Sequence, residues 1–461
     1  MQRTCSAHTA STCAISAVAS SPGQTNTLIT IMATSVPERG SGTLFFFRTA
    51  ETKRHSAELL QRTSMRTVPM HLWRAIALAF FLTVTTIAQV AGDQHTNERL
   101  ILRVLSAPGD LDLDRRCMYY PYPFSPMDSI AAVYRARCSA YSLRLDGLEE
   151  LEVFRAALAW VGTRWKHSSD NTVAPSVTTL ELLERAQHGE QFTCVEYARL
   201  LVDVLVSHGY PARVVGLSKE DIETRPQGAR HVAVEAWSTT YHKWVFLDPQ
   251  WGCYPCMNGA WLSAYELVNA IVAGKLEQIE LVPAVEVCAY YRITPDELVE
   301  QYRAFLAPYT GYLDYPYVYD GKYTLLMYIC KESLPLPLAF QGVPLSGLFY
   351  TRSWRKAYGA LDQTHVTFRY SGDYHPQRGF TQPAYTLDIA TTLPWVQRFE
   401  VRHDSGSWEP ITSARHQWTL HRGVNTIELR AVGYSGMRSR SASVTVFWGL
   451  PRELPKLTST Q

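Results

Sequence analysis

GEQFTCVEYA, residues 189–198, decides how the rest of the chain is read. Thr193 followed three positions on by Glu196 spells a capping box, in which a hydroxyl and a carboxylate each serve an orphan amide at a helix start. Cys194 then falls on the first helical position. Val195, Ala198, Leu201, Val202 and Leu205 carry the helix onward, and Gly209 with Pro211 behind it ends it. A thiol at the positive end of a helix dipole favours its thiolate. Alone, the cysteine fits a buried structural thiol as well, because free Cys is among the most buried residue types.

Two downstream segments alternate with period two: HVAVEAW at 231–237 and WVFLDP at 244–249, joined by the turn-rich run 238–243. His231, Ala233, Glu235 and Trp237 share one face of the first strand; Trp244, Phe246 and Asp248 share one face of the second. Closing the hairpin between Thr239 and Thr240 sets His231 directly opposite Asp248, within pairing reach. A carboxylate there fixes the tautomer of an imidazole that works on a thiol.

The order Cys194, His231, Asp248, with GYPARVV (209–215) behind the nucleophile helix and the acid at the end of WVFLDP, resembles the transglutaminase-like superfamily. The resemblance spans roughly residues 160–268, about a quarter of the chain. It implies a papain-like α+β core with an antiparallel sheet and a nucleophile helix. It also implies a Cys-His-Asp triad, in a superfamily that includes protein cross-linkers, cysteine peptidases, amidases and members without activity. In transglutaminases the oxyanion is held by the nucleophile's own amide and an upstream tryptophan, a part open here to Trp165 or Trp160, with Gln191 a second donor near Cys194. The glycopeptide-amidase branch resembles a zinc enzyme with two CxxC pairs. This chain has one, so neither a metal nor another cofactor is expected.

That pair, Cys253-Tyr-Pro-Cys256, follows Asp248 in what reads as a loop. A redox motif, half of a zinc site, a structural disulfide and two reduced thiols all fit it. Reserving Cys194 leaves Cys117, Cys138, Cys253, Cys256, Cys288 and Cys330, an even set that an oxidising compartment can join in pairs, Cys117 with Cys138 the most attractive.

Residues 1–64 are rich in Ser, Thr and Ala and short of acids, the composition of an unstructured segment or a mis-assigned start. In 65–92, Arg66, His71 and Arg74 precede an apolar run that ends in Val90-Ala91-Gly92, the layout of a secretory signal. An uncleaved anchor is the competing reading, and both place the remainder outside the cytoplasm. The run GDLDLD at 109–114 lacks the spaced ligands of a calcium loop. A formal net charge of +2 gives no argument for a nucleic-acid partner.

Ahead of the nucleophile, Leu148, Leu151, Phe154, Leu158, Val161 and Trp165 stand at helical spacing, and 178–188 reads as a shorter helix. After Asp248, helices are expected at 262–273 and 295–306 with a strand near 279–282. Tyrosines crowd 309–328, a pattern of strands covering a core edge that also suits sugar or peptide binding. From residue 362 short alternating runs recur between glycine turns, and WTLHRGVNTIELRAVGYSG resembles immunoglobulin-like or fibronectin-like modules. The expected layout is a transglutaminase-like domain at 93–285, a Tyr-rich connecting region at 286–361, an immunoglobulin-like β-sandwich at 362–450 and a tail at 451–461.

Together these readings point to an exported cysteine enzyme that acts on amide bonds of a protein or peptide, a cell-envelope component among the candidates, through a thioester. Membrane association is expected only through 65–92 if that segment stays uncleaved. The alternative is a non-catalytic protein of the same fold that binds peptide or glycan. Disulfide exchange through Cys253 and Cys256 is a third reading.

Overall fold

The computed structural model describes residues 99–107, 118–171, 173–225, 228–319, 322–337, 339–340, 343–344 and 348–455. Segments 1–64 and 65–92, the 109–114 run, Cys117 and the end of the tail lie outside the described residues.

A mixed sheet forms the centre, in the order Leu348–Thr351, Lys322–Ile329, Tyr312–Tyr319, Ala212–Ser218, Arg230–Ser238, Lys243–Leu247, with Met118–Tyr119 also on Tyr312–Tyr319. All pairings are antiparallel except that of Leu348–Thr351. Alternation along Arg230–Ser238 sorts its residues onto two cores. Val232, Val234 and Ala236 pack on the helices Glu150–Gly162 and Cys194–Ser207. Ala233 faces the helices Ala264–Val272, Val285–Tyr291 and Pro295–Leu306. The sheet is thus covered on both sides, and a His or Asp on it is buried wherever it points.

The helix starts follow their sequences. Ser263 with Glu266 and Thr294 with Glu297 form capping boxes, the second with Pro295 at the first helical position. The short helix Val285–Tyr291 was not foreseen: it lacks a side-chain cap and ends in Arg292 at φ 60°.

The hairpin register differs from the expected one. Trp237 pairs with Trp244, Glu235 with Phe246 and Val234 with Leu247, so closure falls between Thr240 and Tyr241. The Glu150 carboxylate explains this, accepting from the Thr239 amide (2.9 Å), the Thr239 hydroxyl (2.6 Å) and the Thr240 amide (3.2 Å), which holds a four-residue turn. The shift moves each partner by two residues, so His231 and Asp248 keep a common face but stand diagonally, a spacing still within side-chain reach.

Region 286–361 is no connector. Tyr312–Tyr319 pairs directly with Ala212–Ser218 inside the central sheet, with Tyr312 and Tyr315 buried. Beneath them Arg213 and Glu235 form a fully buried ion pair (2.7 Å), the guanidinium 4.1 Å from the Trp244 and Tyr315 ring centres. The other Glu235 oxygen accepts from the Ala264 amide and the Tyr358 hydroxyl, both at 2.8 Å.

The C-terminal region is a β-sandwich. One sheet runs Ile101–Ser106, Ala442–Gly449, Gly423–Gly433, Val396–His403, Glu409–Ile411; the other runs Thr364–Tyr370, Ala384–Thr391, Arg415–Thr419. Leu387, Trp418, Ile427, Leu429 and Val446 fill the space between. Ile101–Ser106 therefore belongs to the sandwich rather than to the domain begun at residue 93. The sandwich abuts the nucleophile helix, whose end has Schellman geometry: Gly209 (φ 86°) donates to Val206 and Tyr210 to Leu205. A Cβ on Gly209 would meet the Ser435 amide nitrogen at 2.9 Å.

Cys138, Cys194, Cys253, Cys256, Cys288 and Cys330 are all free. Cys253 and Cys256 lie on the strand Cys253–Met257, not in a loop, and three residues of strand put them on opposite faces, in separate cores. Of the readings open for this pair, two reduced thiols match the fold. No helix among the described residues is long and apolar enough to cross a membrane.

Candidate active site

Cys194 opens the helix Cys194–Ser207, and the capping box forms around it. Glu196, wholly buried, accepts from the Thr193 amide (3.1 Å) and hydroxyl (2.6 Å), while the Thr193 hydroxyl accepts from the Val195 amide (3.3 Å). The Cys194 amide is one of the first-turn donors with no intrahelical acceptor.

His231 is 2% exposed and bonds Asp248 Oδ2 through Nε2 at 2.7 Å. Its ring also hydrogen-bonds the Cys194 thiol, which leaves Nδ1 for the sulfur, and the Val232 amide reaches the same sulfur. Burial pushes the Cys194 thiol up, but the hydrogen bond and charge of His231 with the Val232 amide outweigh it and hold the thiol below its ordinary range. Burial pulls His231 down, but Asp248 and Cys194 together carry it up to about 10. Both directions favour the thiolate–imidazolium form of the pair over the neutral one.

The wholly buried Asp248 is saturated with donors. Oδ1 accepts from the Gln250 (3.2 Å) and Trp251 (3.3 Å) amides, and Oδ2 from His231 and the Tyr302 hydroxyl (2.8 Å). Tyr302, Phe305 and Tyr309 come from the helix Pro295–Leu306 and the turn after it, with Phe305 edge-on to His231 at 4.9 Å and Tyr309 at 6.1 Å. None of these three was read as a site residue. Arg230 also acts electrostatically on Cys194 while paired with Asp314.

The oxyanion candidates separate. The Trp160 indole donates to the Tyr141 carbonyl at 2.9 Å and is thereby committed elsewhere. Trp165 packs between Phe192 (5.1 Å) and Tyr197 (4.8 Å), two residues before and three after Cys194, and its buried Nε1 has no hydrogen-bond partner. Gln191 is exposed, with its carbonyl accepting from Asn171 at 2.8 Å. No group of three His, Cys, Asp or Glu that could hold a metal stands together among the described residues.

Residues 140–249 match the family model of the Transglutaminase-like superfamily. The crystal structure of red sea bream transglutaminase is similar over 64% of this chain and 68% of that one, at 12% sequence identity and a TM-score of 0.19. No curated protein sequence matches the chain.

Proposed function

We propose that this chain is an exported cysteine enzyme that breaks or exchanges amide bonds of a protein or peptide through a thioester. The observation that carries the reading is the His231 ring held between the Asp248 carboxylate and the thiol at the head of a helix. In this scheme Cys194 attacks the amide carbonyl as a thiolate, and His231, already protonated, gives its proton to the leaving amine. Asp248 orients the ring. The Cys194 amide and Trp165 receive the oxyanion. Water then resolves the acyl-enzyme, since no feature among the described residues marks an amine-acceptor tunnel. Export rests on the signal-like stretch 65–92.

The test is the pH dependence of Cys194 alkylation in the parent, His231→Ala and Asp248→Asn. The expected result is an apparent pKa well under the reference of about 8.5 in the parent, returning toward it in His231→Ala. An inert Cys194, or one profile shared by all three proteins, sinks the catalytic reading in favour of a binding protein on the same fold.

A further inference from the structure

A cleft of about 260 Å³ borders this site. His167, Trp251 and Tyr291 supply ring surface and Val287, Ile293 and Leu298 aliphatic surface. Its remaining lining is Gln250 and Gln301, with no Asp, Glu, Lys or Arg among the lining residues. One wall reaches His231: Trp251 lies 5.1 Å from Phe305, which stands edge-on to the imidazole at 4.9 Å. The other wall reaches the nucleophile, because His167 bridges to Phe192, two residues ahead of Cys194.

We infer that this cleft is the specificity pocket of the acyl donor, and that it takes an uncharged aromatic side chain beside the bond under attack. The inference rests on the triad reading above. Size, charge and lining all argue for that occupant. A dry cavity of roughly 150 Å³ already admits a benzene ring, and this one is larger. A charged side chain entering it meets no counter-charge, and burying an unpaired charge is costly. An aromatic one gains ring-to-ring contacts on top of the area it buries.

Three alkylating probes of Cys194 test this on the full chain: iodoacetamide, N-(3-phenylpropyl)iodoacetamide and the same compound with a para-carboxylate on the ring. The readout is the ratio of each arylalkyl rate to the iodoacetamide rate within one protein, so a general change in thiol reactivity cancels. The neutral aromatic probe is expected to show a ratio of about ten in the parent, with the carboxylate probe several-fold lower. Ile293→Trp, which fills the cleft, and Trp251→Leu, which strips a wall, should each bring the aromatic ratio toward one. Gln301→Arg, on the exposed rim, should raise the carboxylate ratio above the parent's. An aromatic ratio of one in the parent with Cys194 still reactive toward iodoacetamide overturns the pocket and leaves the triad standing. Equal ratios for neutral and carboxylate probes overturn the charge selection. A Cys194 inert to all three overturns both readings.

Discussion

Tyr302 donates its hydroxyl to the Asp248 oxygen that also receives His231, at 2.8 and 2.7 Å. Two donors on one oxygen share its charge, so Tyr302 tempers the hold of the carboxylate on the imidazolium. Tyr302→Phe removes one donor without changing shape. A hydrogen bond to a charged group contributes about 1.5–3 kcal/mol, so the variant should lose stability of that order in urea denaturation. His231 should also titrate higher than in the parent, read by NMR of its ring protons. A purely packing role for Tyr302 would lower stability and leave that titration unmoved.

Asp203, on the buried side of the nucleophile helix, ties three helices together, accepting from Tyr134 (3.1 Å) and Thr179 (2.6 Å). Burial raises its pKa from 3.8 to about 6. The fold therefore favours the protonated form. This contribution is fully present below pH 3.8 and is lost as pH rises through 6, by about 3 kcal/mol at 1.36 kcal/mol per unit. Asp203→Asn keeps an acceptor and cannot ionise. Its urea midpoint should lose that decline between pH 4 and 7 and exceed the parent's at neutral pH. Parallel curves for the two proteins would rule the idea out.

The stretch around Cys194 was legible because its determinants are local: Thr193, Cys194 and Glu196 lie within a single turn, and the parity of 231–237 survives any even shift of register. The exact pairing was not, because Glu150, far off in sequence, holds the turn that sets it. Tyr302 carries no local sign of its role, 54 residues beyond Asp248 on an amphipathic helix with an ordinary pattern. The strand Ile101–Ser106 finds its partner at the opposite end of the described chain, which no windowed period can reveal. The free state of Cys253 and Cys256 turns on reading that segment as strand, since an odd spacing then parts their faces.

The Arg213–Glu235 pair locks the floor of the sheet, and its desolvation is offset by the aromatic cage and by the Ala264 amide, the Tyr358 hydroxyl and the Tyr317 hydroxyl. Removing one partner leaves the other charged and buried. Arg213→Met should therefore lose about 3–5 kcal/mol in chemical denaturation. The double variant Arg213→Met with Glu235→Leu should recover part of that loss. A double variant no more stable than Arg213→Met would show that the backbone amide and Tyr358 held by Glu235, rather than its charge, dominate.

Trp160 and Trp165 predict opposite outcomes for the same conservative change. Trp160 donates to the Tyr141 carbonyl, so Trp160→Phe strands a half-buried acceptor, costs about 1 kcal/mol and leaves acylation at Cys194 near the parent rate. The Trp165 indole nitrogen is buried and unpartnered in the resting protein. Trp165→Phe removes a donor without a partner in the resting fold, so whatever stability it loses comes only from the smaller ring in a packed site. If that nitrogen receives the oxyanion, deleting it lowers the acylation rate by about 10²–10³. Burst kinetics with an activated ester, measured beside urea denaturation of both variants, separate the two roles. An acylation rate in Trp165→Phe equal to the parent's would remove Trp165 from the mechanism and leave the Cys194 amide as the donor to examine next.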